Sequence, residues 1–360
     1  MANEKRGADP EKLRQYSKAL FGHLSGAMTS ALVYLGDHLG LYRALAECGA
    51  SSSVELATHT GLHERWLREW LHQQGAAGIL DTAGDDRFAL SPEAEIALVD
   101  ESHPAFGAGF FSHLPQTMQV VERLPECFAS GLGLPYDAFG PEGARGFERG
   151  FAPWFRSLLV PVALPAVDGL VARLEAGARV VDVGCGGGVA LVEMAQAFPS
   201  SEFHGYDISS HALERAESNR RDAGVDNLQF HDVRETPLPD DGSVAFATTF
   251  DCLHDMTHPD RIIGDIRRML REDGCWLVCD IKAYPTYAEN VENNPMAALM
   301  YGMSVATCMS SALSEPSGLG LGTLGLHEAK LREMVHTAGF TRFDPLDLGH
   351  PVNAFYVARP

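Results

Sequence analysis

The sequence predicts an α/β chain: a mostly parallel seven-stranded sheet with helices on both faces, preceded by a mainly helical domain. Three observations predict it. After Gly177, strand-like and helix-like segments alternate, which is the pattern of parallel strands joined by crossover helices. The first of those strands runs into a glycine-rich turn, DVGCGGG at residues 182–188, where a helix begins. Before Gly177 the texture is helical, broken by Gly and Pro.

At 360 residues, with 45% hydrophobic and 21% charged residues, the chain can bury a sizeable core. Its 28 Lys and Arg against 48 Asp and Glu give a formal charge of −20, which repels a phosphate backbone. Nucleic acid is therefore not an expected partner. The opening MANEKRGADPEKLRQ is polar, and no apolar run approaches the ~20 residues that span a bilayer. A soluble, cytoplasmic protein without a membrane partner is expected. The seven cysteines include no C-x-x-C pair, so they read as reduced thiols rather than a disulfide framework or zinc ribbon.

Residues 11–48 have a helical pattern in which Ala19, Gly22, Gly26, Ala27 and Ala31 suit close helix packing, hence a homodimer is expected. Next, residues 51–80 give a serine cap, a short helix, a turn at Gly61 and an amphipathic helix ending near Gly75. Short strands at residues 79–82 and 87–90, joined by AGDD, complete a winged helix. Its second helix offers only Arg65 and Arg68, and its wing tip carries Asp85 and Asp86, so it reads as a scaffold or dimerisation element. Trp66 and Trp70 are expected in its core. Residues 101–165, rich in Phe, Gly and Pro, form a helical connector or lid. The expected domains are thus 1–100, 101–165 and 166–360, with the first helix of the last beginning near Pro165.

The glycine turn decides between ligand classes. A dinucleotide site would need G-x-G-x-x-G or A, but Val189 and Leu191 occupy the sixth position in the two possible frames. Two later strands end in acidic residues, Asp207 in FHGYD and Asp232 in FHD. Each carboxylate could cap a helix or accept hydrogen bonds from a ligand, and they converge at the carboxyl edge of the sheet.

Together with D-x-G-x-G-x-G these positions resemble the class I S-adenosylmethionine-dependent methyltransferases, over residues 177–360. The resemblance implies a Rossmann-like sheet and S-adenosylmethionine as cofactor, leaving S-adenosylhomocysteine as product. It implies Gly184 and Gly186 against the methionyl part, Asp182 orienting that loop, Asp207 on the ribose hydroxyls, Asp232 on the adenine amino group and Val233 beside the ring. Cys185 and Ile208 join this cofactor-binding set, and Phe250 and Asp251 would flank it or pack in the strand.

The stretch FDCLHDMTHPD at residues 250–260 follows the fourth strand. Its two histidines, four apart, suggest a zinc site of the H-E-x-x-H kind, but Pro259 pushes His258 out of a helix interior and no third ligand stands out. No metal is expected. Small-molecule O-methyltransferases with a winged-helix dimerisation domain read like LHDW here, their histidine being the general base. Leu253, His254 and Asp255 match, whereas Met256 replaces the tryptophan. His254 therefore either takes a proton from the acceptor or packs at the strand end. The methyl acceptor is expected to be a small, mainly apolar or aromatic molecule, met by Phe110, His113, Trp154, Met300 and Tyr301. For the methionine row at 296–309 helix core or a dimer interface is the more ordinary reading. The competing reading of the whole chain is a cofactor-sensing regulator that binds DNA through its winged helix.

Overall fold

The computed structural model describes residues 7–360. The chain divides into two compact units between Leu114 and Pro115, so the segment 101–165 is shared between them.

In the first unit, Asp9 caps α1 (Pro10–His38) by accepting from the amides of Glu11 and Lys12, and Pro10 occupies the first turn, where its missing N–H costs nothing. Gly40, at φ +71°, turns the chain into α2 (Leu41–Cys48). Ser52 and Glu55 form a capping box on α3 (Ser53–Thr60), which Gly61 ends, and α4 (Glu64–Ala76) follows. The hairpin β1 (Asp81–Thr82) and β2 (Phe88–Ala89) and the short helix α5 (Pro92–Leu98) complete the winged helix.

Its core gathers Val33, Leu41, Tyr42, Leu56, Leu71 and Phe88 around Trp70, whose Nε1 donates to the Leu32 carbonyl at 3.0 Å. Trp66 does not join this core. It is 80% exposed, because Leu67, Trp70, Leu71 and Gln74 form the buried stripe of α4 and residue 66 lies roughly 90° round the helix from its centre. Along α1, Leu13, Tyr16, Leu20, Phe21, Leu24 and Met28 are all exposed.

The second unit opens with α6 (Leu114–Val121), α7 (Leu124–Ser130) and α8 (Gly140–Trp154), the last continued by a π-helical stretch, Phe155–Ala163. The helix before the sheet, α9 (Leu170–Ala176), starts later than the expected position near Pro165. Turns occupy the intervening residues, and Gly169 at φ +72° sets its start. The sheet then follows with β3 (Arg179–Val183), α10 (Val189–Ala197), β4 (Glu202–Asp207), α11 (Ser210–Ala223), β5 (Leu228–Asp232) and β6 (Val244–Phe250). It continues through α12 (Pro259–Met269), β7 (Leu270–Ile281), α13 (Tyr287–Asn293), α14 (Ala297–Met303), α15 (Met309–Ala312), α16 (Glu328–Thr337), β8 (Arg342–Leu346) and β9 (Asn353–Arg359).

Strand order is β5-β4-β3-β6-β7-β9-β8, parallel except for the two pairings of β9. Successive residues of one strand face opposite layers: Leu277 packs with Phe203, Phe246 and Leu191, while Trp276 and Val278 pack with Val181, Ile266 and Val335. Burial on both faces explains the nearly unbroken apolar runs of these strands. The chain leaves β3 toward β4 and β5, then returns to its other side for β6 and β7. The carboxyl ends of β3, β4, β5 and β6 therefore flank the point where strand order reverses, the usual crevice of an open parallel sheet.

Candidate active site

Four strand ends and the loops after them build the site. Gly184, Gly186 and Gly188 all adopt positive φ, at +75°, +52° and +71°. A Cβ at Gly184 would stand 2.7 Å from the Cys252 sulfur, so the loop after β3 lies directly on the loop after β6. A Cβ at Gly186 would meet nothing within 4 Å, which leaves the backbone there open to a ligand. The expected glycine functions thus separate, one for close packing and one for access.

The Gly186 amide donates to Asp207 Oδ2 at 2.8 Å, and the Ser209 amide donates to Oδ1 at 2.8 Å. Burial raises the Asp207 carboxyl above its ordinary range, although these amides oppose the shift. Each oxygen keeps lone-pair capacity for a further donor. Asp182 is 1% exposed and accepts from Thr248 Oγ1 at 2.7 Å. Burial pushes its pKa up to about 8, Asp207 adding to the effect and Thr248 opposing it. Ile208 is exposed and Cys185 buried.

Asp232 is held differently. Arg234 grips it through Nε at 2.9 Å and a terminal guanidinium nitrogen at 2.6 Å, and this side-chain pairing lowers its pKa. Val233 packs on the second face of the sheet. Phe250 packs edge-on to Phe155, with ring centres 5.1 Å apart, and lies beside Trp154, which stacks on Phe355 at 5.4 Å. Phe250 and Trp154 are therefore integral to the packing beneath the strand end.

The two histidines of the 250–260 stretch have separate surroundings. His258 occupies the residue before α12 without a side-chain bond to the helix, Pro259 stands in the first turn, and the ring faces Glu315 at 3.4 Å and Ser317 at 3.4 Å. His254, on a single 3₁₀ turn, is 4% exposed and shares a 2.6 Å hydrogen bond between its Nδ1 and Asp280 Oδ1. Burial alone would push the His254 ring down, but the Asp280 carboxylate, with the Cys308 thiol alongside, reverses this and holds it well above the ordinary histidine value.

More carboxyls crowd the same place. Asp255 rises to about 7 through burial, with Asp280 and Asp207 adding to the rise and His254 countering it. Asp251, at φ +51°, also rises to about 7 through burial and the Asp280 charge, and its Oδ1 accepts from Asn353 Nδ2. Such a grouping can hold a hydroxyl-rich ligand, favour a cationic one and accept a proton from a third.

Of the remaining expected residues, Met300 and Tyr301 pack with Ile281 and Leu324 near the end of β7. Phe110, half exposed, and His113, whose pKa burial lowers to about 4, belong to the first unit. A groove of 630 Å³ lined by Lys282, Tyr284, His327, Arg332 and Tyr356 contains none of the residues singled out from the sequence. Asp280 was not among those either, yet it is the penultimate residue of its strand, in CDI, close to the end as Asp207 and Asp232 are in theirs.

Known proteins resemble this chain in sequence and in architecture. Residues 174–339 match the family model described as a methyltransferase domain, and residues 27–99 match the Rv2258c-like winged HTH domain. The mitomycin biosynthesis 6-O-methyltransferase of Streptomyces lavendulae is 26% identical over 317 residues, 82% of this chain and 87% of that enzyme. Among solved structures, the mitomycin 7-O-methyltransferase is similar at a TM-score of 0.65 and 20% identity, covering 98% of this chain and 100% of its own. The human N-acetylserotonin methyltransferase in complex with SAM is similar at 0.68 and 16%, covering 99% of each chain.

Replacing Asp280 by Asn is expected to lower the His254 titration midpoint, because burial then acts without its opposing charge. The sign for stability follows from linkage. A histidine raised in the fold stabilises it below the unfolded value of about 6.5, and that contribution is lost as pH rises through the folded value. Imidazole NMR titration of wild type and Asp280→Asn checks this; an unmoved midpoint would contradict it.

Proposed function

The chain is an S-adenosylmethionine-dependent methyltransferase with a winged-helix domain ahead of its catalytic domain, and we propose that it methylates a hydroxyl group of a small, mainly apolar or aromatic molecule, with His254 as the base. The observation that carries this reading is the buried His254–Asp280 pair at the carboxyl edge of the sheet. Asp280 occupies Nδ1 and so fixes the ring, and Nε2, on a ring that the Cys308 thiol also meets, is the nitrogen proposed to take the hydroxyl proton. The names of the mitomycin relatives, which specify O-methylation, favour a hydroxyl over nitrogen or carbon.

The residues present fit the cofactor. Gly186 leaves open space over its backbone, Asp207 keeps acceptor capacity for two ribose hydroxyls, and Val233 follows Asp232 at the adenine end. Asp232 would accept from the adenine amino group while Arg234 keeps it ionised. Ile208 and Cys185 would border the ribose and methionyl ends, with Asp182 bracing the loop through Thr248. Bound S-adenosylmethionine supplies a methyl group already activated by its sulfonium charge. The protein then aligns the acceptor, excludes water and removes one proton. Asp251, Asp255 and Asp280 favour that positive charge electrostatically. Trp154, Met300 and Tyr301 are proposed to select the acceptor.

The first unit serves assembly in this reading. The exposed apolar row on α1 fits a second copy of the same helix, which would bury it in a homodimer. DNA binding is disfavoured because Arg65 and Arg68 are each paired with a glutamate of their own helix, Glu69 and Glu64. Sedimentation should therefore find a dimer that Phe21→Glu converts to monomer, with no added mass on mixing with duplex DNA. A wild-type monomer would remove the assembly role.

Calorimetry tests the cofactor site. Wild type should bind S-adenosylhomocysteine, and Asp207→Ala should weaken it by about 10²- to 10⁴-fold, the loss of two hydrogen bonds to a charged group. Equal affinity of the two proteins would remove Asp207 from the site.

A further inference from the structure

The segment from Gly131 to Gly140 joins α7 to α8 and connects both sides of the crevice. Gly131 ends α7 at φ +76°, ψ 2°, and Gly140 stands at φ +66°, ψ −177°, a region open almost only to glycine. Both ends of the segment are thus backbone positions where a side chain would be strained. At its start, the Gly133 amide donates to the Leu313 carbonyl at 2.8 Å and the Leu134 amide to Ser310 Oγ at 2.8 Å, tying it to α15 and the residue after it. A Cβ at Gly133 would fall 1.9 Å from the Ser310 carbonyl oxygen, so backbone lies on backbone there.

The far end is tied to the start of α11, just beyond the strand that ends at Asp207. Asp137 accepts from Ser209 Oγ at 2.5 Å, from Ser210 Oγ at 3.1 Å and from the Ser210 amide at 3.4 Å. Ser209 is also the residue whose amide donates to Asp207. Between these two ties sits Tyr136, on the 3₁₀ turn Tyr136–Phe139, with its ring against Phe139 and Phe147. Burial pushes the Tyr136 hydroxyl well above the ordinary tyrosine value, and the charges of Asp255 and Asp207 add to the rise. The turn that carries this phenol is thus held between the Ser310 tie on one side and the Ser209 tie on the other.

We propose that the Gly131–Gly140 strap is the gate of the cofactor site, latched by Asp137 on Ser209 and Ser210, and that closing it sets Tyr136 as the positioning wall between the cofactor and acceptor ends. The inference rests on the cofactor reading above. Opening requires breaking the three Asp137 hydrogen bonds while the glycines at 131 and 140 absorb the backbone change. Because Ser209 bonds both Asp137 and Asp207, a ligand engaging Asp207 meets the latch through one intervening residue. The closed strap slows exchange of the cofactor in both directions and keeps water from the reacting atoms.

The test compares wild type with Asp137→Ala. Surface plasmon resonance reads the association and dissociation rates of S-adenosylhomocysteine, and hydrogen exchange reads the amides of residues 131–140. Loss of the latch should accelerate both rates by about tenfold, the effect of one charge-assisted hydrogen bond or more. Strap exchange should accelerate by a similar factor with the melting temperature of the domain kept. Unchanged rates and unchanged strap exchange in a folded Asp137→Ala protein would overturn the gate. If wild type does not bind S-adenosylhomocysteine at all, the cofactor reading fails, and the strap is judged by exchange alone: protection equal to wild type in Asp137→Ala overturns it. Tyr136→Phe keeps the ring and should leave both rates near wild type, whereas Tyr136→Ala should raise KM for the acceptor more than it lowers kcat.

Discussion

The burial of His254 against Asp280 is the interaction on which the rest of the site depends. An imidazole that is 4% exposed cannot keep a charge without a partner, and Asp280 Oδ1 at 2.6 Å supplies one. The same carboxylate also accepts from the Ile281 amide at 2.8 Å, so it is fixed by its own strand. Its Oδ2 is buried without a hydrogen-bond partner, which leaves charge in a region already crowded with acid. The neighbouring Asp251 and Asp255 hold their protons up to about 7, chiefly through burial, with the Asp280 charge adding to it. For these raised carboxyls linkage runs the same way as for the raised imidazole: stability falls as pH rises from the unfolded value of about 3.9 through the folded ones. The pocket is thus balanced between one imidazolium and several acids, an arrangement that a sulfonium cation would complement.

Strand ends were the legible part of this structure. Seven strands, their mostly parallel order and the positions of Asp182, Asp207 and Asp232 follow from apolar runs that stop at acidic residues and glycines. The winged helix was legible for a similar local reason, since Ser52 and Gly61 punctuate it as caps. Trp66 was misplaced because a tryptophan four residues from a buried one suggests a shared face, and the true stripe of α4 is narrower. The start of α9 was misplaced because Gly169, rather than Pro165, sets the turn before it.

The unreadable part lies in contacts between distant residues. Asp280 and His254 are 26 positions apart, and Asn353 reaches Asp251 across 102. Tyr136 and Asp137 sit in a run of Gly and Pro that shows no period, so nothing local says that they face the strand ends. Arg234 beside Asp232 was visible in the chain, but its grip on the carboxylate depends on the turn after β5. Packing also decides between roles: Phe250 and Trp154 are bound into the layer under the sheet. Any contact they make with a ligand is therefore made from fixed positions.

The pH dependence of methyl transfer in a single turnover, from S-adenosylmethionine to a phenolic acceptor, tests the central claim most directly. In wild type the rate should climb with pH and level off once the raised His254 has lost its proton, whereas His254→Ala should be slower by about 10²- to 10⁴-fold and lose that limb. A His254→Ala protein with wild-type rate and the same pH limb would contradict the account.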